Sequence, residues 1–132
     1  MRTECEILKQ SKNIAVVGLS DKPNRESYSI AKYLYSRGYN IAGVNPTLKK
    51  DNVDGINVYP SLKDVPFQID IVDVFRRSEL VQELIPDLLD VKPKTVWLQL
   101  GIRNEETEQK MNEAGIEYID DTCIYVSHLN CR

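Results

Sequence analysis

Six short apolar runs punctuate this chain, and the segments between most of them carry helical spacing. Residues 14–18 (IAVVG), 40–44 (NIAGV), 56–60 (INVYP), 70–75 (DIVDVF), 95–100 (TVWLQL) and 116–119 (IEYI) read as strands. The first is apolar without alternation, the mark of a strand buried on both faces. Between strands one and two, Ile30, Ala31, Leu34 and Tyr35 recur at helical spacing, and Gly38 stands where a helix stops. Ser78 is placed to cap a helix through Val81, Leu84, Ile85, Leu88 and Leu89, which Pro86 should kink or break. Asn104 caps the segment 105–114 and Gly115 ends it, while Ile7 and Leu8 suggest a short helix before strand one. One helical turn is expected at 61–65. Strands alternating with helices predict an α/β domain with a mostly parallel sheet of five to six strands, covered on both faces.

Composition narrows the classes of function. The 132 residues suit one domain, with its core over about 12–128; they are 42% hydrophobic and 28% charged. The formal net charge of -3 argues against nonspecific nucleic-acid binding, which runs on clustered positive charge. No apolar run is long enough to span a bilayer, and the first twelve residues lack the core of a signal peptide, so a cytoplasmic setting is expected. Cys5, Cys123 and Cys131 are odd in number with no CxxC spacing; free thiols fit better than a disulfide framework or a zinc site. No metal site is expected from the acidic pairs 105–106 and 120–121, which lack a third ligand.

In an open parallel sheet, ligands sit beyond the carboxyl ends of the strands, where the strand order reverses. The segments following the strands hold Lys22, Arg25, Lys49, Lys50, Arg76, Arg77 and Arg103, seven of the 17 basic residues. Such a rim would attract a polyanion. In the first loop Gly18 allows a tight turn, and Ser20, Ser27, Lys22 and Arg25 supply donors around a helix start. The loop lacks the three-glycine dinucleotide fingerprint, and strand two ends in Val44, Asn45 and Pro46 without the carboxylate an NAD site requires. Coenzyme A meets neither objection: its pyrophosphate and 3′-phosphate want cations on several loops. Arg76 and Arg77 suit phosphates, Arg being preferred for its fork of donors.

The strings at 12–34, 38–47, 58–66, 70–79 and 96–106 together resemble the small single-domain CoA-binding proteins, which are similar to the CoA-binding domain of the succinyl-CoA synthetase alpha subunit. The resemblance implies a Rossmann-like three-layer sandwich that binds CoA along the strand ends. It implies contacts from Gly18, Ser20, Lys22, Ser27 and Tyr28, from Val44, Asn45 and Pro46, from Phe75, Arg76 and Arg77, and from Leu100 and Gly101. The strand pattern itself assigns Phe75 to the core. Ligase chemistry is not expected, since the phosphohistidine and nucleotide-grasp machinery of the ligases lie in other domains. The family commonly reads Asp-Arg-Cys-Ile-Lys near the cysteine; here Thr122 and Tyr125 replace the two cations.

No complete nucleophile–base–orienter set is legible, so the protein is expected to hold CoA or an acyl-CoA without catalysis. Cys123, on the same rim, is a candidate for a mixed disulfide with CoA, and His128 is expected to pack or cap near the terminus. The rival readings are an NADP-dependent oxidoreductase and a regulatory protein-interaction module with a vestigial pocket. Exposed sheet edges leave room for a homodimer or another protein partner.

Overall fold

The computed structural model describes residues 1–131. In chain order the elements are α1 (Glu4–Gln10), β1 (Asn13–Val17), α2 (Glu26–Ser36), β2 (Asn40–Val44), β3 (Asn52–Val53), β4 (Ile56–Tyr59), β5 (Ile71–Val74), α3 (Ile85–Val91), β6 (Thr95–Leu98), α4 (Glu105–Ala114), β7 (Glu117–Ile119) and α5 (Ile124–Asn130). Seven strands lie in the order β3-β4-β2-β1-β5-β6-β7, all parallel except β3, which pairs antiparallel with β4. The sheet therefore exceeds the expected count by one two-residue strand, too short to leave a pattern in sequence.

Alternate side chains of the parallel strands build two cores. Ile14, Val16, Ile71 and Trp97 face α1, α2 and α5 and meet Ile7, Leu8, Ile30, Leu34 and Ile124. Ala15, Val17, Val72, Val74, Val96 and Leu98 face the other way, onto Val81, Leu84, Leu88 and Met111. Fully burying a Leu or Ile side chain contributes roughly 1.5–3 kcal/mol. The strands thus carry apolar residues on both faces, which is why their runs show no polar alternation.

Helix ends follow local chemistry. Thr3 and Glu6 form a reciprocal capping box on α1, and the Asn104 side chain accepts from the Thr107 N–H at 2.9 Å. Gly115 closes α4 in the left-handed conformation. Pro86 does break its helix: residues 78–84 form a 3₁₀ segment, and α3 begins at Ile85 with the proline in its first turn, where no N–H partner is lost. Ser78 is not the cap expected of it. It lies inside the 3₁₀ segment, and its hydroxyl instead accepts the Arg103 N–H at 3.0 Å, joining the loops after β5 and β6.

Two further departures concern the C-terminal segment. Residues 124–130 form α5, held by burial of Ile124, by Ser127 donating to Glu4 at 2.6 Å and by His128 against Tyr33 at 2.7 Å. Its opening Ile-Tyr-Val has β-like composition, so the helix is a product of tertiary contact. This packing of α5 on α1 brings Cys5 and Cys131, 126 positions apart in sequence, into a disulfide with Cα atoms 5.4 Å apart. The expectation of three free thiols is therefore corrected; among the described residues only Cys123 is free. No helix among them is long and apolar enough to cross a membrane.

Candidate functional site

The strand order reverses between β1 and β5, and both strand ends meet there. Gly18 leaves β1 at φ +89, with its N–H donated to the Val44 carbonyl at 2.8 Å. A Cβ at this position would lie 2.3 Å from the Phe75 carbonyl oxygen, so only glycine lets the two chain ends approach. Beyond it the loop folds onto the start of α2: the Ser20 N–H donates to Ser27 Oγ at 3.0 Å, and the Lys22 N–H to Ser20 Oγ at 3.1 Å. A cleft of about 550 Å³ opens here, lined by Gly18, Ser20, Ser27 and Phe75 and by the polar side chains of Lys22, Asn24, Arg25 and Glu26.

The N-cap of α2 is Arg25, which offers no side-chain acceptor to the first turn. This eleven-residue helix thus presents its N-terminal N–H groups, the positive end of its dipole, at the cleft. Lys22 and Arg25 are exposed, and among the described residues neither is held in an ion pair. Glu26 is the one opposing charge in the lining. Hydroxyls, helix N–H groups and two uncommitted cations make the cleft receptive to an anion.

The loop after β2 is tied to the first loop and, through Asn45 and Pro46, lines a hollow of its own. Val44 is 3% exposed and belongs to the core; it serves the site only through its backbone. The Asn45 side chain is fully engaged with the chain itself: Nδ2 donates to the Leu19 carbonyl at 2.9 Å, and Oδ1 accepts from the N–H groups of Thr47 and Leu48. It locks this loop to the first one and leaves no carboxylate for a ribose. Pro46, Lys49 and Lys50 line a second hollow of about 250 Å³. Lys50 reaches back to Asp21 at 2.9 Å, and this hydrogen bond holds the Asp21 carboxyl below its usual range.

The rim cations after β5 and β6 are not directed into the cleft. Arg76 pairs with Glu83 at 3.0 Å, Arg77 with Glu79 at 3.4 Å and Arg103 with Asp121 at 2.8 Å. With Lys50, four of the seven expected rim cations are compensated by the protein's own carboxylates. Each such pair is at least partly exposed and contributes about 0–1 kcal/mol. Gly101 donates its N–H to Asp121 Oδ1 at 2.7 Å, and Leu100, 70% exposed, stands out from the crest.

Tyr28 turns away from the cleft lining: its hydroxyl donates to Asp54 in the β3–β4 turn. His128 lies between the rings of Tyr33 and Tyr39, where burial and the nearby Arg37 push its imidazole pKa down. It packs as expected. Cys123, half-buried, stands at the N-cap of α5. Among the described residues no group of three or more His, Cys, Asp or Glu could hold a metal ion.

Three participants escaped the sequence reading. Asn24 and Glu26 line the cleft, and their place inside the loop after strand one was the signal available. The third is Asp73, 0% exposed in the middle strand β5. Gln99 Nε2 donates to its Oδ1, while Oδ2 has no hydrogen-bond partner among the described residues. Burial pushes this carboxyl up to about 8. Gln99 Oε1 in turn accepts the Ile124 N–H at 3.3 Å, so Asp73 supports the start of α5 from beneath the crest. A lone acid inside the run IVDVF was its trace.

The architecture is thus an open α/β sheet with an anion-receptive cleft at its switch point. The chain belongs to the CoA-binding domain family, whose model matches residues 12–129. It is similar to the protein YneT of Bacillus subtilis, 45% identical over 123 residues and covering 93% of this chain and 90% of that one. A solved structure from Thermus thermophilus, cell-free ID.343, superposes with a TM-score of 0.92 at 36% identity, over 97% of this chain and 98% of its own. The alpha subunit of the ADP-forming acetate–CoA ligase I of Pyrococcus furiosus is 27% identical over 86% of this chain, which spans only 27% of that longer protein.

Proposed function

We propose that the protein binds coenzyme A or an acyl-CoA at the carboxyl edge of the sheet and performs no catalysis of its own. The observation that carries this reading is the side-chain-uncapped start of α2 in the 550 Å³ cleft, beside Lys22 and Arg25. A pyrophosphate lies against helix N–H groups and hydroxyls there, and the adenosine end extends toward the hollow lined by Lys49 and Lys50. The family assignment supports the same ligand. Thermal unfolding with CoA, dephospho-CoA, NADP and ATP tests it. The melting temperature rises most with CoA and less without the 3′-phosphate. A rise confined to NADP favours an oxidoreductase, and no rise with any of the four favours a protein-interaction module.

The uncommitted cations carry more of the affinity than the paired ones. Replacing both Lys22 and Arg25 with Ala weakens CoA binding by about 1–3 kcal/mol, as expected for exposed charge-assisted contacts. The Arg76→Ala, Arg77→Ala double variant loses less than that, because each arginine already has a carboxylate partner. Isothermal calorimetry on the two double variants checks the order; the reverse order would reassign the phosphates to the β5 loop.

Cys123 at the crest also forms a mixed disulfide with CoA in our reading. Its thiolate attacks oxidised CoA, one CoA thiolate leaves, and the protein–CoA disulfide remains. Intact mass after incubation with oxidised CoA shows one adduct on the wild type and none on Cys123→Ser. An equal adduct on both excludes the idea.

A further inference from the structure

Two loops that follow neighbouring strands, 18–25 after β1 and 45–51 after β2, are joined at two points. One is the buried end: Asn45 Nδ2 donates to the carbonyl of Leu19, a residue 0% exposed. The other is the ion pair of Asp21 Oδ2 with Lys50 Nζ at 2.9 Å, whose side chains are 25% and 57% exposed. The first loop lines the larger cleft through Ser20, Lys22 and Arg25. Lys50 itself lines the smaller hollow. The ion pair is therefore a bridge between the walls of the two hollows.

The other rim pairs differ in kind. Arg76–Glu83 and Arg77–Glu79 close within one short segment, and Arg103–Asp121 joins the loops after β6 and β7. Asp21 is also the one acid in the stretch 19–25. An exposed pair is cheap to break. A ligand that occupies both hollows and ends in a phosphomonoester meets Lys50 with its cation already taken by a carboxylate, and meets that carboxylate's own charge as a repulsion.

We propose that Asp21 is an internal stand-in for a ligand phosphate: its carboxylate holds Lys50 until a terminal phosphomonoester displaces it. Asp21 thereby sets both the affinity and the preference for the phosphorylated ligand over its dephosphorylated form. This rests on the CoA reading above.

Calorimetry with CoA and with dephospho-CoA, which lacks the 3′-phosphate, tests the proposal on the wild type, Asp21→Asn, Lys50→Gln and the double variant. Asp21→Asn binds CoA about three- to fivefold tighter, the upper scale of one exposed ion pair, and leaves dephospho-CoA within about 1.5-fold. Lys50→Gln loses the preference for CoA, and adding Asp21→Asn to it changes nothing further. Unchanged or weaker CoA binding by Asp21→Asn overturns the proposal. So does an equal gain for dephospho-CoA, or a gain that survives in the Lys50→Gln background, since either would be a diffuse charge effect. In those cases the wild type still binds CoA and the functional reading stands. If the wild type and every variant fail to bind CoA, the functional reading itself falls, and this proposal with it.

Discussion

Gly18→Ala lowers the stability of the protein by about 2–5 kcal/mol, the sum of left-handed backbone strain and overpacking against a fixed carbonyl. The backbone there sits at φ +89, and the added methyl would lie 2.3 Å from the Phe75 carbonyl oxygen. Neither chain end can yield easily: Gly18 N–H is bonded to Val44, and Phe75 N–H to the Val17 carbonyl at 2.9 Å. Gly101→Ala is the matched control. It has a similar φ of +83 with nothing within 4 Å of its Cβ position, so it pays strain alone, about 1–2 kcal/mol. Urea unfolding of the two variants checks the difference through the midpoint, with the slope unchanged. Equal losses would mean that the close approach of β1 and β5 contributes nothing. Because the same glycine lines the cleft, the proposed function predicts that Gly18→Ala also loses the CoA-induced rise in melting temperature.

Asp73→Asn changes the pH dependence of stability. Burial pushes the folded-state carboxyl up to about 8 from its ordinary value of 3.8. Between those values the folded protein binds a proton that the unfolded chain has released. Stability from this group is therefore fully present below the unfolded pKa and is lost as pH rises through about 8, at up to about 1.4 kcal/mol per pH unit. Asparagine keeps the acceptor for Gln99 and cannot ionise. The variant is accordingly more stable than the wild type at pH 8, and the advantage shrinks steadily toward pH 4. Carboxylates whose pKa is depressed, such as Asp21 and Asp121, act in the opposite sense in both proteins, so the difference between wild type and variant isolates Asp73. Urea midpoints at pH 5, 6.5 and 8 measure it; a constant difference across that range would show that Asp73 is ionised in the fold throughout.

Much of the scaffold was legible because its causes are local. The runs IAVVG and DIVDVF are apolar on both sides because helices cover both faces of the sheet. Asn104 and Gly115 bound α4, and Pro86 divides its helix, because capping and proline geometry act within a turn. The switch-point rule named the segments after the strands as candidates, while the strand order that puts Gly18 and Phe75 at the edge of the cleft is a tertiary fact. What failed was of another kind. Ser78 looked like a cap and became a tie between loops, and residues 124–130, for which no element was expected, form a helix, because each is decided by a partner far along the chain.

The amino-acid order thus dictated the parallel α/β sheet, the segments that gather at its carboxyl edge and the glycine at the first turn, all consequences of short-range sterics and of hydrophobic periodicity. Tertiary structure alone decided which cations are compensated, that Tyr28 turns to Asp54, that Asp73 is buried with one unpartnered oxygen, and that Cys5 meets Cys131. Arg76 and Arg77 find their carboxylates within one short segment, but the other outcomes depend on distances of a few ångströms between residues farther apart, as Asp21 and Lys50 are. Such distances are set by how whole layers pack and leave no periodicity in the sequence.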